Sequence, residues 1–79
     1  MEKQELNLLL EVFKQIRNNQ LRWDEEPFML TNDNRHIYLT SLDDTISGCK
    51  IDQYIQASQA VCVSFYFETF EEKIRVVFY

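Results

Sequence analysis

The sequence predicts an α+β fold: an N-terminal amphipathic helix packed on a small antiparallel sheet of about four strands, with a second short helix. Three observations predict it. Residues 2–20 repeat their apolar side chains with a period near 3.6, residues 60–79 alternate with a period of 2, and the turn-forming TNDN at residues 31–34 separates two short apolar runs. The two periods cannot share one element, so helix and sheet occupy different parts of the chain.

In the first segment Leu6, Leu9, Leu10, Val12, Phe13 and Ile16 gather on one face, and Lys3, Gln4, Asn7, Glu11, Lys14 and Asn18 on the other. Leu8 at the margin is expected to widen the apolar stripe, as suits a helix lying across a sheet. RNNQ at 17–20 ends the helix, because asparagine is a weak helix former that tolerates left-handed termini. Pro27 biases Glu26 towards an extended backbone, so FML at 28–30 and RHIYLTS at 35–41 read as a hairpin around TNDN. Residues 43–58 fit two patterns. Ile51, Tyr54 and Ile55 suit a short helix, whereas Cys49, Ile51, Ile55 and Ala57 suit an interrupted strand; a helix within 50–58 is the preferred reading. AVCVSFYFE at 60–68 and KIRVVFY at 73–79 predict a second hairpin joined by a loop around TFEE, with Val61, Val63, Phe65 and Phe67 on the side of Ile74, Val76 and Phe78. The centre of the sheet is expected to include this hairpin; a strand that runs to the last residue also often lies at an edge, where its backbone could pair with a second copy.

A chain of 79 residues forms a single domain, residues 1–79, with little room for a deep cavity. At 46% hydrophobic residues with one Gly and one Pro, it is too rich in core-formers for a disordered tail. Thirteen acidic residues against eight basic ones give a net charge of -5. That balance disfavours direct contact with nucleic acid or an anionic membrane and favours a basic protein partner. MEKQELNLLL carries charges where a signal peptide needs an apolar run, and Cys49 and Cys62 are too few and too far apart for a secreted disulfide scaffold. Both read as reduced thiols of a cytoplasmic protein.

No side-chain set points to catalysis, a metal or a cofactor. His36 lies near Asp33 and Arg35, but no nucleophile accompanies the pair, and alternation with Ile37 turns His36 away from the core. One histidine and two cysteines thirteen residues apart lack zinc-ligand spacing, and Gly48 alone cannot build a phosphate-cradling loop. Tyr38, Tyr66 and Tyr79 could stack on bases only inside a positively charged groove, and the charge has the wrong sign.

Two features remain. The second side of the C-terminal hairpin carries Cys62, Ser64, Tyr66 and Glu68 with Arg75, Val77 and Tyr79, more apolar than solvent demands. Either residues 43–58 fold over it, or Tyr66, Val77 and Tyr79 form an oligomer interface. The other feature is the acidic run Asp24, Glu25 and Glu26 between Trp23 and Pro27, with Glu71 and Glu72 in the second hairpin's loop. A solvated connector with Trp23 and Phe28 as anchors is one account of the run; a pooled patch for a cationic partner is the other. Size and charge resemble those of the short acidic inhibitors of phages and mobile elements, such as anti-restriction, anti-CRISPR and nuclease immunity proteins. That resemblance, carried by no shared motif, implies a non-enzymatic protein that binds and blocks a basic, nucleic-acid-handling protein. The alternative is a homo-oligomeric regulatory or structural module, a homodimer pairing through its sheet.

Overall fold

The 3.6-residue period forms helix α1, Lys3–Gln20, in a computed structural model that describes residues 1–20, 28–42 and 48–79. Leu6, Leu9 and Phe13 are buried, and Leu10 and Ile16 pack at the margin of the core. Leu8 does not widen the stripe: it is 58% exposed. At about 100° per residue it stands roughly 200° from both Leu6 and Leu10, on the solvent side.

The TNDN turn yields the expected hairpin of β1 (Phe28–Asn32) and β2 (Ile37–Ser41), paired from Phe28 opposite Ser41 to Asn32 opposite Ile37. The ambiguous segment resolves as helix α2, Gly48–Ala60, burying Ile51 and Tyr54 one turn apart. Its preceding residues 43–47, like the run 21–27, lie outside the described part of the chain. Strands β3 (Phe65–Phe70) and β4 (Lys73–Phe78) form the second hairpin.

The sheet order is β1-β2-β4-β3, with every neighbouring pair antiparallel. The C-terminal hairpin does contribute to the centre of the sheet, through β4, and the final strand therefore offers no free edge to a second copy. Val76, Val77 and Phe78 are buried in succession, and a strand covered on both faces fits the middle of a sheet. The edges belong to β1 and β3. Because β2 and β3 run parallel with β4 between them, the chain must cross a face to connect them, and α2 makes that crossing.

The second hairpin starts later than alternation suggested. Residues 60–64 end α2 and cap it: the Cys62 N–H donates to the Gln59 carbonyl at 3.1 Å, and the Val63 N–H to the Ser58 carbonyl at 2.9 Å. These are the paired bonds of a Schellman motif, with Cys62 in the left-handed position at φ 58 and Val63 buried beyond it. Val61 and Val63 mimic strand alternation because a helix terminus followed by a core-seeking residue gives the same local pattern. At the far end the loop is tighter than TFEE: Phe70 stays in β3, and only Glu71 and Glu72 turn, at φ 51 and 66. Two positive φ values in a two-residue connection make a type I′-like turn, a geometry that normally takes Asn-Gly.

Both helices pack on one face. The Phe13 ring meets Tyr54 at 5.1 Å and Phe78 at 4.9 Å, and Tyr54 meets Phe28 at 6.2 Å. Phe13→Ala should cost about 3–5 kcal/mol in a denaturant melt, as for a fully buried aromatic. Phe67, on the same sheet face but 52% exposed at edge strand β3, should tolerate Phe67→Ala within about 1 kcal/mol.

Candidate functional site

Since α1 and α2 share one face with Phe28, Leu39, Val76 and Phe78, the opposite face of the sheet carries no described helix. Residues 48–60 thus do not fold over it. Strand alternation and register place Met29 on β1, Tyr38 and Thr40 on β2, Lys73, Arg75 and Val77 on β4, and Tyr66, Glu68 and Phe70 on β3, all on this open face. Met29, Tyr66 and Phe70 are exposed, as are Leu42 and Tyr79 just beyond the strand ends.

Arg75 organises its centre. Its guanidinium carbon lies 4.5 Å from the centroid of Tyr38 and 4.0 Å from that of Phe70, a double cation–π contact. Glu68, directly across from it on β3, accepts from Nε at 3.0 Å and from Nη2. The side chains are only 17% and 33% exposed, so this pair is better shielded from solvent than an ordinary surface salt bridge. Beside it a shallow depression of ≈ 240 Å³ runs between Met29, Leu42 and Phe70, with Lys73 and Arg75 also lining it.

Tyr66 and Tyr79 stand with ring centroids 5.4 Å apart, exposed as an interface would require. Val77 differs. It is 1% exposed, held between its cross-strand neighbours Tyr38 and Tyr66, so a partner on this face would meet the tyrosines and not the valine. Glu71 and Glu72 are exposed in the turn, and Glu71 borders the depression. Asp24, Glu25 and Glu26 fall outside the described residues. The register does place the start of β1 at the same end of the sheet as the Glu71–Glu72 turn, since Phe28 faces Ser41 and Thr40 faces Arg75.

The histidine considered for catalysis belongs to the β1–β2 turn. Asp33 Oδ1 accepts from the backbone N–H of Arg35 at 2.8 Å and of His36 at 2.7 Å, and lies 3.1 Å from His36 Nδ1; Oδ2 accepts from the Tyr38 hydroxyl at 2.5 Å. The Tyr38 hydroxyl and then the Arg35 N–H hold the Asp33 carboxyl well below its ordinary pKa. The same bond raises the Tyr38 pKa, because ionisation would remove the donated proton and set a phenolate against a carboxylate. The His36 and Tyr38 rings stack at 6.0 Å. This carboxylate is occupied as a turn staple and holds Tyr38 over Arg75. Among the described residues no group of His, Cys, Asp or Glu could hold a metal ion, and Cys62 is a free, exposed thiol.

The chain matches no protein-family model, no curated protein and no solved structure.

Sequence reasoning missed Met29, Leu42, Phe70 and the central position of Arg75. The signal was present in the parity of the two hairpins, which puts Met29, Tyr38, Arg75 and Phe70 on one side once β2 is paired with β4. It was obscured by assigning Phe70 to a loop.

The staple makes a pH prediction. A carboxyl whose folded pKa is depressed adds stability that is full above its ordinary value of 3.8 and lost as pH falls from there towards the folded value. Asp33→Asn should flatten the acid limb of stability against pH in that window, measured by thermal melts. It should also lower stability at neutral pH, where the wild-type carboxylate is charged and fully bonded.

Proposed function

We propose that this chain works by binding another protein through the open sheet face, as a small cytoplasmic, non-enzymatic blocker of a basic, nucleic-acid-handling partner. The observation that carries the reading is the exposed row Met29, Leu42, Phe70, Tyr66 and Tyr79 around Arg75. Tyrosine, methionine, phenylalanine and arginine are the side chains enriched at protein contacts, and Arg75 is already held in place by two rings and a carboxylate, so little of its freedom is lost on binding. Among the described residues no helix is long and apolar enough to cross a membrane.

The acids supply the partner's chemistry. Two glutamates with positive φ each carry a cost of roughly 1 kcal/mol that glycine would avoid. A turn that keeps two carboxylates in that backbone, bordering an apolar surface on a chain of net charge -5, fits a role for the charge itself. Together with Asp24, Glu25 and Glu26, which precede β1 in the sequence, these acids would steer a cationic surface onto the aromatic row.

Affinity capture from the source cell, followed by binding kinetics with the purified partner, tests this. Association should slow steeply with ionic strength; Asp24→Asn, Glu25→Gln, Glu26→Gln together, or Glu71→Gln with Glu72→Gln, should lower the on-rate, whereas Phe70→Ser should raise the off-rate. A salt-independent on-rate, equal in wild type and both acid variants, would leave the acids as solvated connectors. The substitution Glu71→Asn with Glu72→Gly separates the two roles. It should stabilise the fold by about 1–2 kcal/mol in a denaturant melt and still weaken association, because the relaxed turn has lost both charges.

A further inference from the structure

Edge strand β3, Phe65–Phe70, lacks the usual protection of an exposed edge. Natural edges are guarded by lysines, prolines, bulges or inward charges, and FYFETF has none of the first two and a single charge, Glu68. That charge is turned onto Arg75 of β4. Both sides of the edge are apolar as well: Phe67 is exposed on the helix side, and Tyr66 and Phe70 on the open side.

The hydrogen-bond phase shows which groups wait for a partner. The Tyr79 N–H donates to the Ser64 carbonyl at 3.0 Å, so residue 64 is bonded inwards to β4, and antiparallel alternation makes 66, 68 and 70 do the same. The N–H and C=O of Phe65, Phe67 and Thr69 therefore point away from β4, and among the described residues no strand lies beyond β3.

We propose that this edge pairs with β3 of a second copy across a two-fold axis normal to the sheet, joining two four-stranded sheets into one. Such an axis keeps each face on its own side, so only residues of equal parity can stand opposite. With Phe67 opposite its own counterpart, Phe65 meets Thr69 of the second copy and Thr69 meets Phe65, and all three outward-pointing residues of each strand become hydrogen-bonded pairs. The same register sets Glu68 against Tyr66 of the second copy. Centring one residue later would oppose the two Glu68 carboxylates, which is unfavourable. It also places each Glu71–Glu72 turn beside Val63 and Cys62 of the other copy, keeping the acidic turns at opposite ends of the seam. Both open faces then look the same way, unblocked.

Light scattering after size exclusion, over a range of concentrations, tests the pairing. The mass should rise from 9.6 kDa towards twice that value. Thr69→Pro removes an outward N–H and no internal bond, and Phe67→Lys sets two like charges opposite each other; each should weaken dimerisation at least about ten-fold, with a melting profile that matches the wild type at dilutions where both are monomeric. Either variant decides the matter if the other fails to fold. Leu42→Ser with Tyr79→Ser, on the open face, should leave the dimer intact. A chain that stays at 9.6 kDa at high concentration, a dimer that survives both edge variants, or one abolished by the open-face pair would each overturn the proposal.

Discussion

The contact on which the molecule depends is the meeting of Phe13, Tyr54 and Phe78, one ring from each helix and one from the central strand β4. Edge-to-face packing adds to the large apolar area such rings bury, and here it ties together elements far apart in sequence. Its consequence is one-sidedness. With both helices drawn to the same face by one cluster, a chain of this length has no further described element for the other. The open face follows from where the core was built.

A sheet face with no described element over it must still limit how much apolar surface it leaves in water. It does so by pairing residues across strands. Val77 disappears between Tyr38 and Tyr66, and Arg75 is placed between Tyr38 and Phe70 with Glu68 at its guanidinium. Asp33 then fixes the Tyr38 hydroxyl from the hairpin turn. The result is a chain of contacts, turn to tyrosine to arginine to glutamate, that crosses three strands and gives the face a rigid centre with a softer apolar margin of Met29, Leu42 and Tyr79. At that centre Asp33, Tyr38, Arg75 and Glu68 are engaged with one another, while the apolar margin is left exposed.

Much of the architecture was legible in the sequence because two periodicities are strong: the α1 residues Leu6, Leu9 and Phe13, and the alternation of Phe65, Val76 and Phe78. What was not legible came from geometry beyond the period. Whether Val61 and Val63 begin a strand or end a helix depends on a single left-handed residue, Cys62, that is not glycine. Whether β4 is central or terminal depends on pairing with β2, a contact between segments more than thirty residues apart that no local pattern encodes. The candidate site shows the same division. Tyr66 and Tyr79 were found by alternation within one hairpin, while Met29, Leu42 and the environment of Arg75 required the join between hairpins.

The departures from local preference help to separate structural from functional causes. Cys62 occupies a left-handed position where glycine would be easier, yet its bonds to α2 and the burial of Val63 beyond it explain the geometry completely. Glu71 and Glu72 adopt the same kind of backbone with no comparable return: they are exposed, and the two-residue connection requires their φ values but not their side chains. Asparagine and glycine would close the hairpin with less strain and the same register. Strain with a structural account attaches to the fold, whereas strain without one attaches to the side chains that persist despite it. On that reasoning the carboxylates of the turn belong to the surface the molecule presents, next to the aromatic face and at the far end of β3 from Tyr79.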